Sequence, residues 1–235
     1  EMALLFEAGV KRVAGWASPR VAVVATGSEI TQEADGLSSG FRRCSNASYI
    51  AALMSRIGVT DIRTIVVPDD IRQLTRTLVE LDTVCDVIIT VGGTGKGKRD
   101  YTRQAVSDAG GVFVGHDTQL DSPFVTARLP HAGLIGLPGN PLAVMMIVQC
   151  VLLESVRSVF HLPEAPAQTV EAVMTEDIEA GICGELCVNV NESAAKPLIK
   201  GTGRMRVFDS ARGFVRLNGQ GIKRGERVRV ELFRN

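Results

Sequence analysis

One stretch of the sequence is the basis for predicting the fold: Val87-Ile88-Ile89-Thr90-Val91-Gly92-Gly93-Thr94-Gly95-Lys96-Gly97-Lys98-Arg99-Asp100. Its first five residues are mostly apolar and β-branched, which indicates a buried strand. The glycines that follow let the backbone curl around a phosphate or pyrophosphate, and Lys96, Lys98 and Arg99 add positive charge. The spacing matches neither a Walker loop nor GxGxxG. Asp100 either caps the helix that begins at Tyr101 or binds a divalent metal, and both interpretations stay open.

Similar apolar runs precede this strand and alternate with helical patterns. Strands are predicted at Val21 to Ala25 and Ile62 to Val67, and helices from Ser45 or Asn46 to Arg56, ended by Gly58, and from Pro68 to Leu81. Because right-handed crossovers make such strands parallel, the pattern predicts an α/β fold with a doubly wound, mostly parallel sheet.

Further short strands are predicted at Gly111 to Gly115, Pro123 to Leu129 and Leu134 to Leu137, before an apolar helix from Pro141 to Phe160. The uncharged stretch from Ala132 to Leu153 has about the 20 residues needed to span a bilayer. Pro138 to Pro141 breaks it, and the roughly dozen mostly apolar helical positions suit a buried core helix. We therefore expect no membrane partner.

The pattern changes after Phe160, where Pro163 and Pro166 mark a boundary. Short alternating runs follow at Leu186 to Val190, Phe214 to Leu217 and Arg227 to Phe233, as in a small β barrel or sandwich. The expected division is a linker or helix over residues 1–18, an α/β domain over 19–162 and a smaller C-terminal β-barrel-like domain over 163–235.

Composition excludes several classes of protein. The 26 basic and 26 acidic residues cancel, which argues against nucleic acid or an anionic membrane surface as a partner. Five cysteines without a CxxC pair favour a reducing compartment, so we expect a cytoplasmic protein. No signal peptide is visible between Met2 and Val13, and the first residue is Glu1. We expect either a processed chain or a piece of a longer one.

Two more segments follow predicted strands and would reach the same crevice at the carboxyl ends of the sheet. In Ala25-Thr26-Gly27-Ser28-Glu29, Gly27 permits a tight turn and Glu29 could bind magnesium, although an ordinary polar loop explains the segment as well. In Gly136-Leu137-Pro138-Gly139-Asn140-Pro141, Asn140 is a good N-cap, and the helix end could also donate N–H groups to an anion.

Asp69 and Asp70 follow the strand that ends at Val67. They either add one or two carboxylates to the crevice or are acidic residues of a first helical turn, which the helix dipole favours.

These segments, in this order, resemble the MoeA and gephyrin family of molybdopterin molybdotransferases and the MogA-like domain that they contain. The similarity lies in VAVVATGSEI, SNASYIAALMSRIG, DVIITVGGTGKGKRDYT and GLPGNP, and the stretch from Lys196 to Phe233 is similar to the family's C-terminal β domain. The resemblance covers nearly the whole chain, so it implies a MogA-like domain followed by a smaller β domain.

Such proteins bind molybdopterin or its adenylylated form, and the molybdotransferases use magnesium to release AMP while molybdate joins the dithiolene. The resemblance implies that Glu29, Asp70 and Asp100 form the catalytic and metal-binding acidic group. The residues that it implies around the ligand are Thr26, Gly27, Gly92, Gly93, Thr94, Gly95, Gly97, Pro138, Gly139 and Asn140.

The sequence also departs from the family. Ser28 stands where an aspartate is usual, Lys98 replaces a frequent acidic residue, and Ala143 replaces a frequent serine. The lysine-rich KPGKP motif is missing around residues 119–123. These departures favour ligand binding over catalysis.

Three functions therefore stay open: a molybdotransferase-like enzyme, a molybdopterin-binding or carrier module without turnover, and a MogA-like adenylyltransferase. Magnesium, molybdopterin and molybdate are the expected ligands, and homo-oligomerisation is left open.

Overall fold

The chain folds into a six-stranded sheet flanked by helices, followed by a closed barrel. The computed structural model describes residues 2–31, 42–93, 101–115, 124–163, 168–198 and 210–233. The elements of the first part are α1 (Met2–Glu7), β1 (Arg20–Thr26), β2 (Ile30–Thr31), β3 (Arg42–Arg43), α2 (Ser45–Arg56), β4 (Asp61–Val67), α3 (Ile71–Asp82), β5 (Val87–Val91), α4 (Tyr101–Asp108), β6 (Val112–Gly115), β7 (Val125–Arg128), β8 (Gly133–Leu137) and α5 (Pro141–Val159). The barrel consists of β9 (Thr169–Met174), β10 (Cys183–Asn191), β11 (Ala194–Pro197), β12 (Gly213–Asn218) and β13 (Arg227–Leu232).

The strands of the sheet lie in the order β4-β1-β5-β8-β7-β6. β4, β1, β5 and β8 are parallel, whereas β7 runs antiparallel to both of its neighbours. The chain passes from β1 to β4 on one side and returns to β5 on the other side of β1, as in doubly wound folds. The predicted fold class is confirmed, and the predicted strands are present with small shifts at their ends.

Both faces of the sheet are buried, which explains why its strands are continuous apolar runs. Val21, Val23 and Ala25 of β1 pack in the cluster that contains α2 and α5 residues. The alternate residues Ala22 and Val24 pack in the cluster that contains α3 and α4 residues. Each helix pair therefore covers one face, and the carboxyl ends of the strands stay open for the loops.

The helix α2 begins differently from the prediction. Cys44 is its N-cap, and no side chain forms a capping hydrogen bond there, so neither Ser45 nor Asn46 caps the helix. Both residues are already inside the first helical turn. The predicted end is correct, because Gly58 adopts a φ of 98°, the left-handed conformation typical of a glycine that follows a helix.

The helix α3 also begins later than predicted. Asp70 is extended, with φ −132° and ψ 118°, and its Oδ1 accepts a hydrogen bond from the backbone N–H of Gln73 at 2.8 Å. The helix therefore starts at Ile71, and Pro68 lies in the connection after β4. The prediction of Pro68 as the first residue was wrong because an Asp side chain three residues before a free N–H is the stronger start signal.

The long helix α5 contains a π-helical turn at Val148–Leu152 between two α-helical segments, Pro141–Ile147 and Leu153–Val159. It is continuous over 19 residues, so by length and composition it could cross a membrane, contrary to the expectation of a shorter apolar segment. Half of its most apolar 18-residue stretch is buried inside the protein, where residues such as Val144 and Leu153 pack against the sheet. Buried core helices of other proteins commonly have this length and composition.

The barrel closes because β10 pairs with both β11 and β12, β13 joins β12 to β9, and β9 pairs in turn with β11. It has its own core, centred on Val188, Val215 and Val230. A separate apolar cluster joins the barrel to the helices; its members are Met145, Cys187 and Ala211, with Tyr49, Leu142, Met146, Leu198 and Phe233 packed against them. The elements of the sheet domain end at Val159 and those of the barrel begin at Thr169, and the boundaries at 18/19 and 162/163 stay predictions.

A buried carboxylate ties α3 to the turn between β7 and β8. Asp82 is only 6% exposed, and its Oδ1 accepts hydrogen bonds from the backbone N–H groups of His131 at 3.0 Å and Ala132 at 2.8 Å.

We expect Asp82→Ala to lower the free energy of unfolding by about 3 kcal/mol, because the two N–H groups lose their acceptor. Asp108→Ala is the matched control, since the exposed Asp108 accepts, among the described residues, from the side chain of Gln104 alone. Its effect should stay within about 0.5 kcal/mol. Urea unfolding measures both, and equal effects would contradict the role given to Asp82.

Candidate functional site

Three turns meet at the carboxyl edge of the sheet. The chain turns at Gly27–Glu29 after β1, at Gly92–Gly93 after β5, and at Pro138–Asn140 after β8. β1 and β5 are neighbours, and the chain order reverses between them, which is where open α/β sheets bind their ligands. We call this region the three-turn site.

The second turn fits closely against threonine side chains. A Cβ on Gly92 would lie 2.7 Å from Thr26 Oγ1 and 2.8 Å from the Thr26 carbonyl oxygen. A Cβ on Gly93 would lie 2.7 Å from Thr102 Oγ1. Both glycines also have positive φ, 98° and 68°, so each position requires glycine for two independent reasons.

Hydrogen bonds hold this turn in place. Thr26 Oγ1 donates to the Val91 carbonyl oxygen at 3.3 Å, and Thr102 Oγ1 donates to the Gly92 carbonyl oxygen at 3.0 Å. Thr26 is 9% exposed and Thr102 is fully buried. Thr26 therefore supports the turn, and its predicted role in ligand binding stays a prediction.

The third turn lies directly on the second. Gly92 donates its N–H to the Leu137 carbonyl oxygen at 2.9 Å, and a Cβ on Gly139 would lie 3.8 Å from Gly92 Cα. Asn140 is the N-cap of α5, as predicted, and its side chain accepts from the N–H groups of Leu142 and Ala143. Because Pro141 has no N–H, the first turn of α5 has few donors left for a ligand.

The donors that stay open lie in the turns themselves. Within the described residues, the backbone N–H groups of Gly93, Gly139 and Asn140 donate no hydrogen bond. Gly93 is half-buried, whereas Gly139 and Asn140 are exposed, so these three open donors on two contacting turns form a place where an anion from solution can bind.

The first turn brings carboxylates to the same edge. Gly27 donates its N–H to the Val67 carbonyl oxygen at 3.1 Å, so the loops after β1 and β4 lie side by side. Asp69 Oδ2 accepts from the Ser28 N–H at 3.3 Å, and Asp69 donates its own N–H to Ser28 Oγ at 3.2 Å. The exposed side chain of Glu29 lies over Gly27, with Oε2 3.0 Å from the place of a Cβ there.

The structure therefore distinguishes the two adjacent aspartates. Asp70 Oδ1 caps α3, which is the structural role that the sequence left open beside the metal-binding one. Asp69 faces Ser28, and position 28 is where the family that the sequence resembles usually has an aspartate. Asp69 is thus the better placed carboxylate of the pair, although the family resemblance implied Asp70.

Several predicted site residues lie outside the described ranges, namely Thr94, Gly95, Gly97 and Asp100, together with the cations Lys96, Lys98 and Arg99. Their roles stay predictions. Among the residues that are described, no group of three or more His, Cys, Asp and Glu side chains could hold a metal ion. Glu29 and Asp69 still supply the carboxylate oxygens that magnesium prefers, and magnesium commonly binds one or two protein carboxylates together with substrate phosphates.

Sequence reasoning missed two supporting residues of the site. Thr102 belongs to the RDYT motif, but only the structure shows its hydroxyl beneath Gly93. The sequence predicted Asn46 only as a cap, and its Nδ2 instead donates to the Gly139 carbonyl oxygen at 3.1 Å.

Cys44, the N-cap of α2, lies close by in the sequence. It is not a nucleophile candidate, because burial raises the pKa of its thiol.

A family model described as a probable molybdopterin binding domain matches residues 22–158. The chain belongs to this family. The matched region of the molybdopterin-binding domain runs from β1 into α5 and includes all three turns of the site. The family resemblance predicted from the sequence is confirmed.

Curated relatives share parts of this domain. A molybdopterin molybdenumtransferase of Haemophilus influenzae is 26% identical over 144 residues, which are 61% of this chain and 36% of the relative. The molybdenum cofactor synthesis protein cinnamon of Drosophila melanogaster is 28% identical over 143 residues, which are 59% of this chain and 24% of the relative. The chain thus spans well under half the length of these relatives.

A solved structure includes the barrel as well as the molybdopterin-binding domain. The molybdopterin biosynthesis MoeA protein of Pyrococcus horikoshii superposes with a TM-score of 0.84 at 23% identity, covering 99% of this chain and 59% of that chain. At this identity the match establishes the fold, including the order of sheet domain and barrel.

We expect Gly92→Ala to abolish binding of inorganic pyrophosphate, because a Cβ would displace the turn from Thr26. Gly58→Ala is the matched control, since Gly58 has the same φ of 98° but nothing within 4 Å of its Cβ position. The backbone strain alone should cost each variant about 1–2 kcal/mol of unfolding free energy. Isothermal titration and urea unfolding measure the two effects, and an unchanged affinity in Gly92→Ala would refute this geometry.

Proposed function

We propose that the three-turn site binds the phosphate of molybdopterin, or the pyrophosphate of its adenylylated form. The observation that carries this proposal is the set of open backbone N–H groups on Gly93, Gly139 and Asn140. In a chain without net charge, a polyanion is attracted by local groups, which are such backbone donors, cationic side chains nearby and a bound cation. The names of the family and of the curated relatives support molybdopterin as the ligand.

We further propose that the chain takes part in molybdenum cofactor biosynthesis as a transferase that adds molybdenum to bound molybdopterin. Relatives named molybdopterin molybdenumtransferase support this activity. The residues of the three-turn site would bind and orient the pyrophosphate, and Thr26 and Thr102 would keep the turn rigid. Such preorganised donors stabilise charge on a phosphate without a cost in reorganisation.

Magnesium is the proposed cofactor, and its chemical contribution would be to neutralise charge on the phosphate oxygens. Glu29 and Asp69 are the described residues that would hold it, and Asp100 joins them on the basis of the sequence. Asp70 is the weaker candidate because its Oδ1 caps α3.

A cytoplasmic location is proposed on the basis of cysteine chemistry. All five cysteines are free thiols, which suits a reducing compartment.

Molybdate is proposed as a second substrate on the basis of the family. The absence of nucleic acid and membrane partners is proposed on the basis of the balanced charge.

A carrier module without turnover is the second candidate. The observation in its favour is the missing KPGKP motif around residues 119–123, which removes two cations thought to hold molybdate in the resembled family. A carrier would bind the ligand through the same turns but would leave it unchanged.

The deciding experiment titrates the chain with molybdopterin and with adenylylated molybdopterin by calorimetry, with and without magnesium, and then follows AMP release after molybdate is added. Binding that magnesium strengthens, followed by AMP release, is the expected result. Binding without AMP release would favour the carrier. No binding of either ligand would overturn the proposed function.

Substitution by the corresponding amides distinguishes the roles of the acidic residues in magnesium binding. We expect Asp69→Asn and Glu29→Gln each to remove most of the gain in pyrophosphate affinity that magnesium gives, because each loses a carboxylate ligand. Asp70→Asn should retain that gain, since Asn caps a helix about as well as Asp and the free energy changes by only a few tenths of a kcal/mol. If calorimetry instead finds the loss in Asp70→Asn alone, the assignment between the aspartates is reversed.

A further inference from the structure

The side chain of Asn46 reaches from the first turn of α2 to the third turn of the three-turn site. Its Nδ2 donates to the carbonyl oxygen of Gly139 at 3.1 Å. The two residues are 93 positions apart in the sequence, so the hydrogen bond joins two separate elements at the edge of the sheet.

This hydrogen bond fixes the orientation of one peptide group. The carbonyl of Gly139 and the N–H of Asn140 belong to the same planar trans peptide, so they point in opposite directions. Because Asn46 holds the carbonyl toward α2, the N–H of Asn140 points away from α2. That N–H has no partner among the described residues.

The opposite orientation of the peptide would change the sign of the charge offered to a ligand. A half-turn of the Gly139–Asn140 peptide would place a carbonyl oxygen where the N–H now lies, and a carbonyl oxygen repels an anion. A complete half-turn is opposed by Asn140, whose φ of −70° would become positive, but the exposed Gly139 has no Cβ to oppose smaller tilts of the peptide. The hydrogen bond from Asn46 to the Gly139 carbonyl limits these tilts and keeps the N–H of Asn140 in one direction.

The N–H of Asn140 is one of the three open donors of the three-turn site, together with those of Gly93 and Gly139. Gly139 lies against Gly92, and the next residue after Gly92 is Gly93, whose N–H is open. Losing the Asn140 donor would therefore weaken an anion site that depends on several donors together.

We propose that Asn46 is a positioning residue, which holds the Gly139–Asn140 peptide with its N–H available to the phosphate or pyrophosphate group. This inference rests on the proposed function of the three-turn site. Asn46 acts through Gly139 and does not itself need to touch the ligand.

A purely structural role of Asn46 can be separated from this one. Ser48 lies in the same part of α2, and its Oγ donates to the Cys44 carbonyl oxygen at 3.1 Å, away from Gly139. Asn46→Ala and Ser48→Ala therefore each remove one side-chain hydrogen bond of α2, but only the first removes the contact to the third turn. Asn46→Gln keeps an amide donor on a longer side chain.

The test measures pyrophosphate affinity by calorimetry and unfolding free energy by urea for the wild-type chain and these variants. We expect Asn46→Ala to weaken pyrophosphate binding about tenfold, as the loss of one donor predicts, while Ser48→Ala leaves the affinity unchanged. Asn46→Gln should fall between Asn46→Ala and the wild type. In amide NMR spectra, pyrophosphate should shift the Asn140 signal in the wild type and much less in Asn46→Ala.

Each other result has a defined meaning. Wild-type affinity in Asn46→Ala, or an equal loss in Ser48→Ala, would overturn the positioning role and leave the proposed function standing. Failure of the wild-type chain to bind pyrophosphate would overturn the proposed function together with this inference. If Asn46→Ala does not fold, Asn46→Ser provides the same comparison, because its shorter side chain does not reach Gly139.

Discussion

The close approach of Gly92 to Thr26 constrains everything at the carboxyl edge of the sheet. β1 and β5 are neighbours, and the turn after β5 crosses the end of β1 with no room for a Cβ. Only this approach lets the turn after β8 lie on Gly92 and the buried Thr102 support Gly93 from the other side. A bulkier residue at position 92 would separate all of these contacts at once.

The open donors of the three-turn site belong to the backbone, which has a physical consequence for α5. An N-terminal helix end usually offers several N–H groups to an anion, but here Pro141 has none and the Asn140 side chain accepts from the next two. The capping that stabilises α5 therefore moves the open donors back into the Gly139–Asn140 turn. The sequence predicted donors at the start of the helix, whereas the open N–H groups of the described residues lie in the turn before it.

Much of the fold could be predicted because a parallel sheet that is buried on both faces leaves continuous apolar strands, as in β1 and β5. The start of α2 was less accessible, because its N-cap Cys44 has irregular backbone angles and no side chain caps the helix there. The start of α3 was missed although Asp is among the preferred N-cap residues, as Asp70 shows. Contacts between distant residues, such as that of Asn46 with Gly139, leave no local pattern at all and require the folded chain.

The helix α5 couples the three-turn site to the barrel. Asn140 lies at its N-terminus, and Leu142 and Met145, within the next turn and a half, pack in the apolar cluster with Cys187 of β10. Burial in this contact raises the pKa of the Cys187 thiol to about 12. Because a packed interior transmits displacement with little compression, a shift of the barrel along this cluster would move the first turn of α5 as well. The same helix turn thus fixes both the third turn of the site and the position of the barrel, and neither can be rebuilt independently of the other.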